Sequence, residues 1–152
     1  MSEVFKICIT ENSGEKMQDI DSIEVLANKG IVNDRYFNEN NDQDIQITFI
    51  ESENIDYVNK ISSTGIPYID FRRNIITKGI KLNELVDKEF LIGNVKIKGQ
   101  RLCNPCKYLQ DKLNLENLVK KLVNRGGLRC EILTNGRISV NNKIKHSIKF
   151  FI

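Results

Sequence analysis

The feature that most constrains the fold is a series of short segments in which apolar and polar residues alternate. Segments of this kind run over Val4–Thr10, Ile23–Ala27 and Asp44–Ile50. An alternation with a period of two places the apolar side chains on one face, which is typical of a strand that lies on a core. The chain is therefore predicted to be rich in short strands.

Two dipeptides of turn-forming residues predict where neighbouring strands are joined. Gly93-Asn94 lies between the apolar segments Phe90–Ile92 and Val95–Lys98, and Asn135-Gly136 interrupts a later stretch of the same kind. Glycine and asparagine readily adopt the left-handed backbone that two-residue hairpin turns require. These patterns predict two β-hairpins, and a further strand is predicted over Ile148–Ile152.

Helical periodicity is confined to a few segments. Glu51–Ser62 carries an apolar stripe and offers Ser52 or Asn54 as an N-terminal cap, while a second stripe over Leu115–Leu122 ends before Gly126-Gly127. Many short strands with few helices are typical of a barrel rather than of a sheet built from βαβ units. The sequence thus predicts one mostly β domain over residues 1–152, a β-barrel of mixed strands with a few short helices.

Composition places the chain among ordinary globular proteins. Of its 152 residues 28% are charged, and 23 lysines and arginines against 20 acidic residues give a net charge of +3 without a basic block. A net charge this small, without a basic cluster, does not indicate nucleic-acid binding. No apolar run approaches the ~20 residues that cross a bilayer, and the N-terminus lacks a signal-peptide pattern. We expect a cytoplasmic protein with reduced cysteines and no nucleic-acid or membrane partner.

The arginines are unevenly distributed along the chain. An arginine presents a rigid, bidentate donor group that fits phosphate and carboxylate, although a single surface arginine more often forms a salt bridge. Most of the arginines flank the segments that carry other reactive residues. As a group they predict a site for an anion, and they are Arg35, Arg72, Arg73, Arg101, Arg125 and Arg129.

The segment RLCNPCKYLQ, residues 101–110, concentrates the most reactive side chains. Cys103 and Cys106 can be interpreted as a redox pair, as half of a zinc site, or as one activated thiolate with a neighbour. A redox pair with this spacing usually starts a helix in a βαβ unit. A zinc site needs two further ligands, and the remaining candidates are isolated in the sequence: Cys8, Cys130 and His146. The spacing modestly favours the single thiolate and leaves the other two interpretations open.

A single thiolate at Cys106 has a physical basis in its sequence neighbours. Arg101 and Lys107 supply positive charge, and Pro105 fixes a turn ahead of residues that can begin a helix. Positive charge and the free backbone amides of a helix N-terminus both stabilise a thiolate. The same surroundings favour Cys106 over Cys103.

Four segments together resemble the MOSC domain, the C-terminal domain of molybdenum cofactor sulfurases. They are, in chain order, NKGIVNDRYF, QITFIESENI, RRNIITKGIKLNELVDKEFLIGNVKIKGQRLCNPCKYLQ and RGGLRCEILTNGRISV. The chain is similar to the small stand-alone bacterial members of this family, which lack the pyridoxal-phosphate desulfurase domain of full sulfurases. The resemblance implies a closed β-barrel with a few short helices.

The resemblance also implies roles for individual residues. Cys106 would carry sulfur as a persulfide or ligate the molybdenum of a molybdenum–pterin cofactor (molybdopterin), with Cys103 auxiliary. A cysteine desulfurase or a molybdenum-cofactor biosynthesis protein would donate the sulfur. The residues implied to hold the cofactor, and its phosphate in particular, are Arg35, Arg72, Arg73, Asn74, Arg101 and Arg125.

Three activities agree with this resemblance. The protein binds the cofactor or handles its sulfur, or it is a non-catalytic persulfide carrier, or it is a molybdenum-dependent reductase of N-hydroxylated compounds. Asn33 and Tyr36 stand where the family usually has glycine and histidine. Because asparagine tolerates a left-handed backbone, the turn at Asn33 is expected to survive. The missing histidine weighs against the reductase.

Overall fold

The computed structural model describes residues 2–37, 46–103, 111 and 124–146. These residues form eleven strands, one complete α-helix and two short 3-10 helices. The strands are β1 (Glu3–Ile9), β2 (Gln18–Ile20), β3 (Ser22–Leu26), β4 (Gly30–Ile31), β5 (Ile47–Glu51), β6 (Ile75–Lys78), β7 (Glu89–Ile92), β8 (Val95–Leu102), β9 (Leu128–Ile132), β10 (Gly136–Ser139) and β11 (Ile144–His146). Helix α1 covers Ser52–Ser62, and the 3-10 helices cover Tyr68–Phe71 and Leu82–Leu85. The prediction of a mostly β fold is confirmed.

Two sheets organise these strands. The large sheet has eight strands in the order β11-β7-β8-β9-β5-β6-β1-β2, and the small sheet has the order β10-β3-β4. Within the large sheet β5 and β6 are parallel, and the other paired strands are antiparallel. Parallel neighbours need a crossover connection, and α1 supplies it between β5 and β6. One βαβ unit is therefore set into an otherwise antiparallel sheet.

The large sheet curls into a half-barrel, so the expectation of a closed barrel is wrong. Closure requires a continuous ladder between the two end regions of the sheet. In the described residues, strand pairing between these regions is limited to one isolated β-bridge. It joins Glu3 of β1 to Lys143, the residue just before β11. β1 pairs with β6 along one edge, and β2 occupies the C-terminal part of its other edge. On that edge only the N-terminal end of β1 is left for pairing with the chain ahead of β11. There the Val4 N–H donates to the Asn142 carbonyl oxygen at 2.9 Å.

Apolar clusters lie on both faces of the large sheet. The larger one fills the half-barrel and includes Val4, Ile47, Phe49, Ile75, Leu128 and Cys130. The smaller one lies between the sheet and α1 and includes Cys8, Ile50, Ile55, Val58, Phe71 and Ile76. Strand β5 contributes to both clusters, because it is central and covered on both faces. The side chains of β5 that do not point into the half-barrel therefore face α1 instead of solvent.

Several local predictions are confirmed. The hairpin at Gly93-Asn94 joins β7 to β8, and Gly93 has the positive φ of 57° that a primed turn requires. The predicted helix after β5 is α1, with Ile55 buried on its inner face. The predicted caps are wrong, because the residue ahead of the helix is Glu51 and no side chain caps the first turn.

The second predicted hairpin is also wrong. The turn at Asn135-Gly136 does not fold β10 back onto β9; β10 crosses to the small sheet and pairs with β3. The side-chain oxygen of Asn135 accepts a hydrogen bond from the Ala27 N–H at 2.7 Å, which fixes this crossing. The predicted helix over Leu115–Leu122 and the strand over Ile148–Ile152 lie outside the described residues.

No helix within the described ranges is long and apolar enough to cross a membrane.

Gly127 should be irreplaceable at the start of β9. Its φ is +105°, and a β-carbon there would overlap the carbonyl oxygen of Phe49 on the neighbouring strand. Gly127→Ala combines this overlap with backbone strain, so we expect a loss of about 2–4 kcal/mol in the free energy of unfolding, measured in urea. Gly65→Ala is the control, because a β-carbon there meets nothing within 4 Å. Equal stabilities of the two variants would contradict this packing.

Candidate functional site

The turn at residues 125–127 connects several of the predicted site residues. The Arg125 guanidinium lies over the Tyr57 ring of α1, 3.9 Å from its centroid. The Gly126 carbonyl accepts a hydrogen bond from Nε of Arg73 at 2.9 Å, and the Gly127 carbonyl accepts one from the Cys103 N–H at 2.8 Å. This turn thus brings Arg73 and Arg125 close to the end of β8, where the cysteine motif begins.

Arg35 and Arg72 form a second linked pair beside this turn. Nη2 of Arg35 donates to the Arg72 carbonyl at 2.9 Å, and Nη1 lies 3.4 Å from the buried Asp34 carboxylate. Arg72 is 6% exposed, and its Nη1 donates to the Glu15 carbonyl at 2.6 Å. Both guanidinium groups therefore hold backbone segments together. An anion would have to share these two guanidinium groups with the fold.

Asn74 joins three strands of the large sheet. Its side-chain oxygen accepts hydrogen bonds from the N–H and the hydroxyl of Thr48, each at 3.1 Å, and its side-chain nitrogen donates to the Cys8 carbonyl at 3.1 Å. Asn74 is fully buried. The contacts observed for this predicted cofactor ligand are those of a structural link between β1, β5 and β6.

Arg101 lies opposite a second arginine, Arg129, in the ladder between β8 and β9. Opposed residues of an antiparallel pair project from the same face. The neighbours of Arg129 along β9, Leu128 and Cys130, point into the half-barrel, so the two arginines point outward. On its other side Arg129 is opposite Thr48. The sequence predicts Arg129 only as one of the six arginines of an anion site. Its position opposite Arg101 depends on the register of two strands, which is a tertiary feature.

The described cysteines are shielded from solvent. Cys8, Cys103 and Cys130 are all buried and unpaired. Burial, with a smaller contribution from nearby Asp19, raises the pKa of the Cys8 thiol to about 12. Burial, with a smaller contribution from Cys103, raises the pKa of Cys130 well above its ordinary value. Cys8 and Cys130 are therefore held as thiols, whereas Cys106 lies outside the described residues.

The redox and zinc interpretations receive no support from the part of the chain that the structure describes. No three His, Cys, Asp or Glu side chains there are close enough to hold a metal ion. His146 is in β11, which pairs with β7 and is therefore three strands away from β9. Its buried Nδ1 has no hydrogen-bond partner in the described ranges.

A polar cavity of about 410 Å³ lies next to Arg125. Its lining combines cations, carboxylates and amides, namely Glu51, Asn54, Lys81, Asn83, Glu84, Asn124 and Arg125. Burial, and then the nearby Glu53, raise the pKa of the Glu51 carboxyl above its usual range. Burial therefore favours the protonated form of Glu51 more than it would for an exposed glutamate.

The two departures from the family pattern lie at the loop after β4. Asn33 has a φ of 72°, so the left-handed turn expected there is confirmed. Tyr36 lies under the Arg35 guanidinium, with 4.3 Å between the guanidinium carbon and the ring centroid. The tyrosine therefore supports an arginine of the site by a cation–π contact.

Comparison with known proteins shows the family and the fold of this chain. A family profile described as the MOSC domain matches residues 34–145. The solved structure of the YuaD protein from Bacillus subtilis superposes with a TM-score of 0.81 at 14% identity, covering 95% of this chain and 94% of that one. YiiM from Geobacillus stearothermophilus gives a TM-score of 0.78 at 14% identity, covering 96% of this chain and 75% of that one. No protein of curated function matches the sequence significantly.

YiiM from Escherichia coli also shares the fold. It superposes with a TM-score of 0.69 at 17% identity, and the match covers 95% of this chain and 67% of the other. At identities this low, a structural likeness shows the fold and leaves activity to be argued from the site.

Proposed function

Because this chain belongs to the MOSC domain family, we propose that it binds a molybdenum–pterin cofactor, or carries sulfur for it, through the thiol of Cys106. The family is associated with the molybdenum cofactor, and this association is the starting point of the proposal. The observation that supports it is the position of Cys103, the first cysteine of the motif, at the turn that also binds Arg73 and carries Arg125.

The chain leads into Cys106 directly from the arginine-rich part of the site. Cys103 is tied to the Gly127 carbonyl, and the adjacent Gly126 carbonyl binds Arg73. Three peptide units separate Cys103 from Cys106, so their α-carbons lie within about 11 Å of each other whatever path the chain takes. Arg73 and Arg125 therefore lie near the point from which the chain runs to Cys106, and we propose that they contact a group bound there.

The other cysteines are poor candidates for the same role. A thiol must be ionised to bind a soft metal or to accept sulfur. Cys8 and Cys130 are buried, and burial holds their pKa far above neutral pH. Cys103 is 3% exposed, so a donor protein has little access to it. These observations support Cys106 as the residue that carries the proposed chemistry.

The described residues fit an anionic cofactor. Arg101 and Arg129 project together from the outer face of the sheet, and such guanidinium groups suit a phosphate. The guanidinium groups of Arg35, Arg72 and Arg73, which also hold backbone segments together, are further candidates. When bound, the cofactor would supply oxygen-transfer or sulfur-exchange chemistry at molybdenum. The chain itself would hold its phosphate, and Glu51 would hold or release a proton.

Metal and sulfur analysis of one preparation tests this proposal. The protein is purified from a host that makes the cofactor and a cysteine desulfurase, and molybdenum, the ultraviolet–visible spectrum and reductant-labile sulfur are measured. Stoichiometric molybdenum supports cofactor binding, including the reductase among its forms. Labile sulfur without molybdenum supports the persulfide carrier, whose donor would be the desulfurase or a cofactor-biosynthesis protein. Absence of both from protein of intact fold contradicts the proposal.

A further inference from the structure

The polar cavity of about 410 Å³ has walls from three segments that are bonded to one another. The carboxyl of Glu51, at the end of β5, accepts hydrogen bonds from Nδ2 of Asn54 at 3.0 Å and from the Leu82 N–H of the second 3-10 helix. In the same 3-10 helix, Nδ2 of Asn83 donates to the Asn124 carbonyl of the turn before β9 at 2.9 Å. The fold itself therefore holds this cavity open, and a preformed polar cavity of this size is typical of a site for a small molecule.

Four charged side chains line the cavity, two of them cations and two of them anions. They are Lys81, Arg125, Glu51 and Glu84. Lys81 and Glu84 are exposed, whereas Glu51 and Arg125 are half-buried. Among the residues that the structure describes, none of the four forms an ion pair, either with another of them or with a charge elsewhere. Opposite charges that face one space without pairing complement a ligand that carries both signs.

Arg125 is held in place by an aromatic ring instead of a carboxylate. Its guanidinium lies over the Tyr57 ring, 3.9 Å from the centroid. A cation–π contact fixes the position of the guanidinium but uses none of its N–H donors. No described residue accepts a hydrogen bond from these donors. A positioned guanidinium with its donors free is suited to binding a carboxylate through two parallel hydrogen bonds.

We propose that this cavity binds a small polar α-amino acid in its zwitterionic form. The carboxylate of the ligand accepts hydrogen bonds from Arg125 and Lys81, and its ammonium group donates to Glu51 and Glu84. A ligand with negative charge alone, such as a phosphate, would meet the two carboxylates without a compensating cation of its own.

This inference goes beyond the proposed function, because an amino acid can bind in the cavity whether or not sulfur or molybdenum is held at Cys106. The five N–H donors of Arg125 suffice for both ligands.

Isothermal titration calorimetry of the purified protein tests the site with L-serine and L-glutamine as probes. Two analogues of serine separate the charges, because 3-hydroxypropionate lacks the amine and ethanolamine lacks the carboxylate. We expect the amino acids to bind, and each analogue to bind roughly tenfold or more weakly than serine, since one charged hydrogen-bonding group is lost. Absence of binding for both amino acids would overturn the proposal, as would equal binding of serine and either analogue.

Two variants assign the halves of the ligand to the two signs of charge. Lys81→Gln should reduce the preference for serine over ethanolamine, and Glu51→Gln should reduce the preference for serine over 3-hydroxypropionate. Lys145→Gln is the control, because Lys145 is an exposed lysine on β11 and does not line the cavity. Thermal unfolding shows whether each variant is folded, and the exposed Glu84 replaces Glu51 if Glu51→Gln is not. Unchanged preferences in the folded variants would overturn the assignment.

The titration and the metal analysis can fail separately. Amino-acid binding by a protein that carries neither molybdenum nor labile sulfur would retain the cavity site and remove the proposed role of Cys106. Molybdenum or labile sulfur on a protein that binds neither amino acid would retain the proposed function and remove the cavity site.

Discussion

Iodoacetamide at neutral pH should label Cys106 first and leave Cys8 and Cys130 almost unreacted in the folded protein. The thiolate is the reactive form of cysteine, and burial raises the pKa of Cys8 from 9.0 to about 12. A rise of this size lowers the thiolate fraction about a thousandfold at neutral pH. Cys130 is fully buried, and its pKa is also raised well above the ordinary value. Peptide mapping by mass spectrometry over a time course measures the order of labelling.

Protein unfolded in urea provides the control for this labelling. Without the fold, burial no longer distinguishes the four cysteines, and they should react at similar rates. Labelling of Cys8 or Cys130 in the folded protein as fast as Cys106 would contradict the assignment of Cys106 as the activated thiolate. Cys103, which is 3% exposed, should react more slowly than Cys106.

Cys106→Ser should abolish the binding of molybdenum or sulfur, while Cys103→Ser should retain most of it. A serine hydroxyl has nearly the size of a thiol but is a harder and far less acidic donor, so it holds neither a persulfide nor a soft metal. Cys103 is buried, and its backbone N–H, which a serine retains, donates to the Gly127 carbonyl. Molybdenum content and reductant-labile sulfur per protein give the comparison, and thermal unfolding shows whether each variant is folded.

The same pair of variants tests the alternative interpretations of the motif. If Cys103→Ser loses molybdenum or sulfur as completely as Cys106→Ser, and both variants are folded, the two cysteines act as a unit. A redox pair or a metal site would then replace the single thiolate.

Local patterns in the sequence predicted much of the secondary structure. The alternation in β1 and β3, the turn at Gly93-Asn94 and the stripe of α1 are each determined within a few residues, by side-chain period or turn chemistry. The destination of β10 was not predictable in this way. A turn at Asn135-Gly136 fits a hairpin equally well, and β10 joins the small sheet because its partner β3 is distant in the chain.

The open edge of the half-barrel and the Arg101–Arg129 pair were missed for a related reason. Both depend on register, which local sequence does not encode. A bulge between Gly99 and Arg101 sets Arg101, instead of Gln100, opposite Arg129. A change of one residue in register moves every side chain to the other face of the strand, so the arginine pair exists only because of this bulge.

The candidate site was predictable as a set of residues but less so as a set of roles. The sequence identified Arg35, Arg73 and Asn74, and the structure brings them together around the start of β6. Asn74 is nevertheless engaged with Thr48 and Cys8, because a buried amide must satisfy its hydrogen bonds within the fold. A residue type suited to a ligand is equally suited to a structural link, and burial decides between them.

The most direct test of the central claim is to locate the bound group on the protein. Wild-type protein from a host that makes the cofactor and its sulfur is analysed by native mass spectrometry and then by peptide sequencing under non-reducing conditions. We predict an added mass of one sulfur atom, or of the molybdenum–pterin cofactor, that maps to the peptide containing Cys106 and is absent from Cys106→Ser. An adduct on Cys8, Cys103 or Cys130, or one that persists in Cys106→Ser, would contradict the claim.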